Sequence, residues 1–238
     1  MDDATRQQPL AFYLSAEHPC SYLPERMART LFLDPQAAPR REVYQKLAAR
    51  GFRRSGPLLY RPECAHCRAC VPVRIPVAAF RPDRSQRRIV HRNRDLTVRM
   101  LPPGFNAEHF GLYRRYLEAR HPGGGMDQHS EMDYAGFLAS RWSESVFVEM
   151  RLAGRLTAVA VVDVFTDALS AVYTFYDPRL ARRSLGTFAI LWEIGEARRR
   201  GSRWLYLGYW IAASPKMAYK DRFRPCERLG PEGWEPLP

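Results

Sequence analysis

The chain has 238 residues, 46% of them hydrophobic and 26% charged. These are ordinary globular proportions, enough for one large or two small domains, and they exclude a low-complexity or fibrous chain. A formal net charge of +12 bears on partners, not on fold, and puts nucleic acid ahead of an anionic membrane surface as the candidate partner.

The opening, "MDDATRQQPLAFYLSAEH", is acidic and polar and lacks the apolar stretch of a signal peptide. No run of about 18 apolar residues follows, so no spanning helix and no membrane partner are expected. Five cysteines, an odd number, without an export signal argue against a disulfide framework and for a reducing, cytoplasmic setting.

Residues up to about Phe80 read as loop-rich. Within them, Arg41 to Gly51 has a helical pattern, with Val43, Tyr44, Leu47 and Ala48 on one face and Gly51 as the stop. "PLLYRP" and "VPVRIPV" read as short strands that their prolines confine to sheet edges or strand ends. Between them Cys64, Cys67 and Cys70 form C-x-x-C-x-x-C, while Cys20 stands apart in "HPCSYL". Four thiolates suit tetrahedral zinc or an iron–sulfur cluster; a redox pair and a packed thiol cluster are the other readings. A ferredoxin-type run needs a fourth cysteine where Arg74 stands, so Cys20 has to close such a site, with His66 as a substitute ligand. Cys226 reads as a small packing residue.

Seven arginines then crowd the segment Arg81, Arg84, Arg87, Arg88, Arg92, Arg94 and Arg99, met only by Asp83 and Asp95. They suit phosphate neutralisation, or else form a solvated face. "DLTVRML" alternates like a strand. "AEHFGLYRRYLEARH" is an amphipathic helix running into a loop at "PGGG", and "MDYAGFLASRW" is a second helix. From Val146, "VFVEMRLAGRLTAVAVVDVF" gives two strands around an Ala-Gly turn, and "LSAVYTFYDP" gives a third. "SLGTFAILWEIGEARRRG" is a helix with Ser184 as cap and Phe188, Leu191, Trp192 and Ile194 as its apolar face. Three arginines close it before Gly201. "RWLYLGYWI" is a fourth strand and "KMAYKDRF" a short helix. Hairpin, strand, helix, strand predicts an α+β fold whose last two strands run parallel through the helical crossover.

This order resembles the GNAT acyltransferase fold over roughly Leu101 to Trp234. That resemblance implies a GNAT-like catalytic domain at 101–238, preceded by a cysteine-containing N-terminal domain at 1–100. It also implies two parallel strands that splay apart and a helix N-terminus that receives phosphate. Arg183 and Gly186 fit the phosphate-loop form (Q/R)-x-x-G-x-(G/A), but Phe188 fills its last position. The bulk of Phe188 weighs against an acetyl-CoA-dependent acetyltransferase and for another phosphate-bearing donor.

Several strings then agree: "HPCSYLPERMARTLFLDP", "GFRRSGPLLYRP", "CAHCRACVPVRIPV", "RPDRSQRR", "SLGTFAILWEI" and "SPKMAYKDRFRPCE". Together they resemble the aminoacyl-tRNA–protein transferase family over nearly the whole chain, and within it the bacterial aspartate/glutamate leucyltransferases. The resemblance implies transfer of leucine from leucyl-tRNA to proteins with N-terminal Asp or Glu, creating a destabilising N-terminus. Arginyl transfer is the same-chemistry alternative, and a non-enzymatic cysteine-cluster RNA-binding protein is the alternative of another class. Eukaryotic members are associated with metal or cluster binding at comparable cysteines, but carry a second cysteine where this chain reads Tyr22-Leu23.

The reaction is aminolysis of an activated ester and requires no cofactor. The oxyanion needs donors, the leaving ribose oxygen needs a proton, and the acceptor carboxylate needs a reader, for which Arg is suited. The candidates are Asp177, to orient or deprotonate the amine, and Tyr209 or Ser214, to relay the proton. Arg84, Arg87, Arg88, Arg183, Gly186, Lys216 and Lys220 are expected on tRNA or phosphate. Arg53, Arg54 and Arg74 are expected on the acceptor carboxylate, and Tyr173, Tyr206 and Trp210 around the aminoacyl group.

Overall fold

The computed structural model describes residues 9–37, 39–120 and 130–238; the loop expected at "PGGG" lies outside them. Where the N-terminal part reads as loop, the chain forms small sheets. Strands β1 (Phe12–Leu14), β4 (Thr30–Leu33), β5 (Arg53–Ser55) and β6 (Leu58–Pro62) make a four-stranded sheet in the order β1-β4-β6-β5. A two-stranded ribbon, β2 (His18–Pro19) with β3 (Met27–Ala28), lies beside it. Strands this short carry too little alternation to be legible. Helix α1 (Arg41–Ala49) buries Tyr44, Leu47 and Ala48, and Gly51 ends it at φ 86°, as expected.

Strand β7 (Val71–Pro76) lies inside a large sheet, so of the two placements its prolines allow, sheet edge or strand end, it is the second that the chain uses. Only Val73 and Arg74 are paired on both sides, so Pro72 and Pro76 stay out of the doubly bonded stretch. Helix α2 (Arg84–Arg92) follows within the arginine-rich segment. Its start is fixed by a capping box in which Asp83 accepts from the Gln86 N–H and the Gln86 side chain accepts from the Asp83 N–H.

Next come β8 (Leu96–Leu101), α3 (Ala107–Arg120), α4 (Glu131–Leu138), β9 (Ser145–Leu152), β10 (Arg155–Val164) and β11 (Ala168–Tyr176). Ala153 and Gly154, both at positive φ, make the β9–β10 turn, the geometry that matches strand twist in a tight hairpin. A 3-10 turn (Pro178–Arg183) leads to α5 (Leu185–Arg199). Ser184 does not cap α5: it sits in the left-handed region (φ 54°, ψ 47°) and its side chain makes no cap bond, because the chain reverses there out of the preceding turn. Then follow β12 (Trp204–Trp210), α6 (Pro215–Ala218), a 3-10 turn (Tyr219–Arg222), β13 (Glu227–Gly230) and β14 (Gly233–Pro236).

The large sheet has eight strands in the order β14-β13-β7-β12-β11-β10-β9-β8, crosses position 100, and is antiparallel except for β11–β12. Helix α5 covers one face through Phe188, Ile190 and Ile194 over Val162, Leu205 and Leu207. On the other face α3 and α4 pack Leu112, Tyr113 and Tyr134 over Val161 and Phe175, while α1 and the small sheet pack over Phe165 and Tyr206. Each such buried large side chain contributes roughly 1.5–3 kcal/mol. No helix among the described residues is long and apolar enough to cross a membrane.

Candidate active site

The two parallel strands part. Strand β11 runs to Tyr176 and β12 to Trp210, yet they are paired only over Ala168–Ser170 against Trp204–Tyr206. Beyond Ser170 each strand keeps its outer neighbour, β10 or β7, and leaves its inner edge unpaired. Unpaired backbone groups at the centre of a sheet need other partners.

Arg53 supplies one. It enters from β5 on the small-sheet side, donates Nη1 to Ser170 Oγ at 2.7 Å, and donates Nη2 to the Ala171 carbonyl at the start of the gap. Gly208 makes room for it. A Cβ there would stand 3.1 Å from Arg53 Nε, and Gly208 takes φ +79° where the β12–β7 register slips. Tyr209 braces the same region, its hydroxyl donating to the Gly51 carbonyl at 2.8 Å. Arg53 has no carboxylate partner among the described residues.

From the opposite face, α5 presents Glu193. The residue is fully buried, and among the described residues neither carboxyl oxygen has a hydrogen-bond partner. Burial raises its pKa to about 8, against a lowering by Arg53. Glu193 also acts on Tyr219, a surface residue whose hydroxyl is pushed up to about 12 by burial, by Glu193 and by Tyr176. Lys220 is buried beside the gap and donates Nζ to the Tyr209 carbonyl at 2.5 Å; burial and Arg53 bring its pKa down to about 7. Tyr116 and Tyr176 meet edge to face at 5.0 Å on the α3 side. Ionisable groups displaced in pKa and gathered at a break in a sheet mark an active-site candidate.

Family models described as arginine-tRNA-protein transferase match the chain at both ends, the N-terminal one at residues 18–88 and the C-terminal one at 108–230. The chain is 54% identical to the aspartate/glutamate leucyltransferase of Nitrosococcus oceani, over 95% of each chain. It is 53% identical to that of Pseudomonas fluorescens, over 94% of this chain and 96% of the other. The chain belongs to the arginine-tRNA–protein transferase family. The solved structure of L-PGS from Bacillus licheniformis shares the fold of this transferase over 70% of its length and 58% of the other chain, with TM-score 0.52 and 12% identity.

Of the residues expected in the transferase site, Arg53, Tyr209 and Lys220 gather at the gap. Arg54 does not. It is buried and grips both oxygens of Asp163 at 2.6 and 2.7 Å, in a network with Tyr44 and Ser145. Arg74 is stacked 3.6 Å from the Trp204 ring and 4.3 Å from the Trp234 ring, and pairs with Glu227. Asp177 is sealed from solvent, with its carboxylate taken by the Arg179 N–H and by the guanidinia of Arg155 and Arg179. These bonds hold its pKa down to about 2, so it is a poor proton acceptor.

Tyr173 packs with Phe137, Tyr113 and Tyr116 over β11, Tyr206 with Phe165 and Trp234, and Trp210 donates Nε1 to the Ala218 carbonyl. Tyr173 and Tyr206 thus belong to separate clusters and do not line one pocket. Ser214 is buried at the start of α6 without a cap bond, and Lys216 is exposed on it. Arg183 is held bidentate by Asp95 at 2.8 and 2.9 Å. The space over Gly186 is taken by Tyr176, whose ring would stand 3.1 Å from a Cβ there.

Helix α2 displays Arg84, Arg87, Arg88, His91 and Arg92 along an open surface groove. Asn93, at its end, donates to the Arg183 carbonyl, which places the groove next to the start of α5. The cysteines gather behind Tyr209: Cys20, Cys67 and Cys70 pack around Leu23, Tyr209 and Ile211. Burial, reinforced by Cys20, Cys64 and Cys67, pushes the Cys70 thiol up to about 12. The four thiols therefore lie near one another, yet among the described residues no three His, Cys, Asp or Glu side chains are arranged to hold a metal ion. No step of the chemistry is routed through zinc or an iron–sulfur cluster.

Proposed function

We propose that this transferase moves leucine from leucyl-tRNA to the α-amine of proteins whose N-terminal residue is Asp or Glu, in the cytoplasm. What carries the reading is likeness to leucyltransferases along nearly the whole chain, the strands of the gap included. The chemistry available at the gap is compatible with it.

The acceptor amine attacks the leucyl ester carbonyl. The C–N bond forms, the bond to the ribose oxygen breaks, and the ester's own activation drives the exchange. Unpaired backbone N–H groups along β11 and β12 are donors for the tetrahedral oxyanion. Arg53, charged and without a carboxylate, reads the acceptor side chain. The arginine face of α2 takes tRNA phosphates, and Tyr176 and Tyr219 at the rim offer stacking surfaces to the unpaired 3′ end, worth about 1–3 kcal/mol per base.

The test is transfer of radiolabelled amino acid from leucyl-tRNA or arginyl-tRNA to peptides beginning with Asp, Glu or Ala. Label moving from leucyl-tRNA to the Asp and Glu peptides only is the expected result. Labelling of the Ala peptide, or transfer from arginyl-tRNA alone, contradicts the proposal.

A further inference from the structure

Glu193 is fully buried, and among the described residues its carboxyl group has no hydrogen-bond donor. An unpartnered carboxyl in the interior is unfavourable wherever nothing ever comes to it. Its position is specific. It is buried on the sheet-facing side of α5, and the charge that acts on it is Arg53, which reaches the parting of β11 and β12 from the small-sheet face and has no carboxylate partner among the described residues. An N-terminal Asp or Glu residue bears two charges a few bonds apart, a carboxylate on the side chain and an ammonium on the α-carbon. Arg53 and Glu193 present the complementary pair in the complementary order.

We propose that Glu193 is the catalytic residue that receives the acceptor's α-ammonium and takes its proton. The assignment rests on the leucyl-transfer reading above. Glu193 accepts one proton from the ammonium, which leaves a neutral amine and a neutral carboxyl. The amine attacks the ester carbonyl, giving a tetrahedral oxyanion with a cationic nitrogen. As the carbonyl re-forms and the C–O bond to the ribose breaks, Glu193 returns its proton to the ribose oxygen. It then accepts the second proton from nitrogen and loses it to water. Products are the leucyl-extended protein, deacylated tRNA and one released proton. Burial places Glu193 at about 8, alongside the roughly 7.7–8.0 of a free α-amine, so the proton is shared with little bias. Arg53, from β5, acts electrostatically on Glu193, and Glu193 acts on Tyr219, from the turn after α6.

The experiment measures kcat/KM against pH for leucine transfer to an Asp-start peptide, and the Kd for leucyl-tRNA, in wild type, Glu193→Gln and Glu193→Asp. In wild type the productive complex holds one proton between acid and amine, so kcat/KM falls above about pH 8. Glu193→Gln is expected to lower kcat/KM about 100-fold or more and to abolish that alkaline fall, so that the residual rate rises with amine deprotonation and levels off. Its Kd for leucyl-tRNA is expected within twofold of wild type. Glu193→Asp is expected to keep the alkaline fall with about a tenfold loss.

Glu193→Gln transfer at the wild-type rate, or with the alkaline fall retained, overturns the assignment. So does a fully active Glu193→Asp enzyme, even where Glu193→Gln fails to fold. Arginine transfer by wild type that Glu193→Gln abolishes would put Glu193 against a donor side chain and also overturn it. A wild type that transfers no leucine at all removes the parent reading and this one together, a result distinct from each of these.

Discussion

Arg53 Nη1 donates to Ser170 Oγ at 2.7 Å, and Ser170 is the last residue of β11 still paired with β12. The guanidinium therefore sits at the apex of the opening, and Gly208 on the facing strand leaves the space it occupies. That charged group has no carboxylate partner among the described residues, and the proposal above gives it the reading of the acceptor side chain.

Arg53→Ala is predicted to reduce kcat/KM for Asp- and Glu-start peptides by about 30–150-fold, the equivalent of about 2–3 kcal/mol for a charged hydrogen bond to a carboxylate. Leucyl-tRNA affinity is expected within twofold of wild type. Arg53→Lys keeps the charge without the fork and is expected to fall between the two. Initial rates over a range of acceptor concentrations check this; an Arg53→Ala enzyme with intact acceptor discrimination contradicts it.

Arg54, next in sequence, has a different part. Its side chain and that of Asp163 are almost wholly buried, and truncating one partner strands the other's charge. Arg54→Ala is predicted to lower stability by about 3–5 kcal/mol, seen as a lower urea midpoint with little change in slope. A variant with wild-type stability would show that the network does not hold the fold together.

The contrast between these two arginines shows where the sequence is silent. "GFRRSG" marks both as anion binders, and the alternation of a strand sends one into the gap and the other to Asp163. Which is which depends on the register of a three-residue strand that local pattern does not define. Helix α5, β9–β12 and the Ala153-Gly154 turn were legible because each has a long period or a turn residue with a required φ. Helix α2 has a readable start in Asp83 and Gln86, spaced as a capping box. Glu193 had a weaker signal, an acid within the apolar run "FAILWEIGEA" of a helix otherwise facing the core. The C-terminal hairpin β13–β14 had too few residues per strand to stand out.

Glu193 and Lys220 predict opposite pH effects on stability. Glu193 has a raised folded pKa, about 8 against 4.5, so the folded state holds a proton that the unfolded state has lost. Stability relative to Glu193→Gln should decline as pH rises from about 4.5 to about 8, by up to about 5 kcal/mol. Lys220 has a lowered folded pKa, about 7 against 10.5, so stability relative to Lys220→Met should decline as pH falls from about 10.5 to about 7, by a similar upper limit. Melting curves of the three proteins between pH 5 and pH 10 check both signs; parallel profiles would show that neither group is desolvated as described.

The basic face of α2 should govern salt sensitivity. Replacing Arg84, Arg87 and Arg88 together by Ala is predicted to weaken tRNA binding and to flatten log Kd against log salt by roughly 0.9 for each phosphate no longer neutralised. Filter binding at several salt concentrations reads the slope. An unchanged slope would place the tRNA on another surface.

Photo-crosslinking of leucyl-tRNA carrying 8-azidoadenosine at its 3′ end tests most directly whether the parting of β11 and β12 seats the aminoacyl terminus. Adducts at Tyr176, Tyr219 or Trp210, suppressed by unmodified leucyl-tRNA, are the predicted result. Adducts confined to the cysteine segment 64–70, or to the outer face of α3 and α4, would contradict the account.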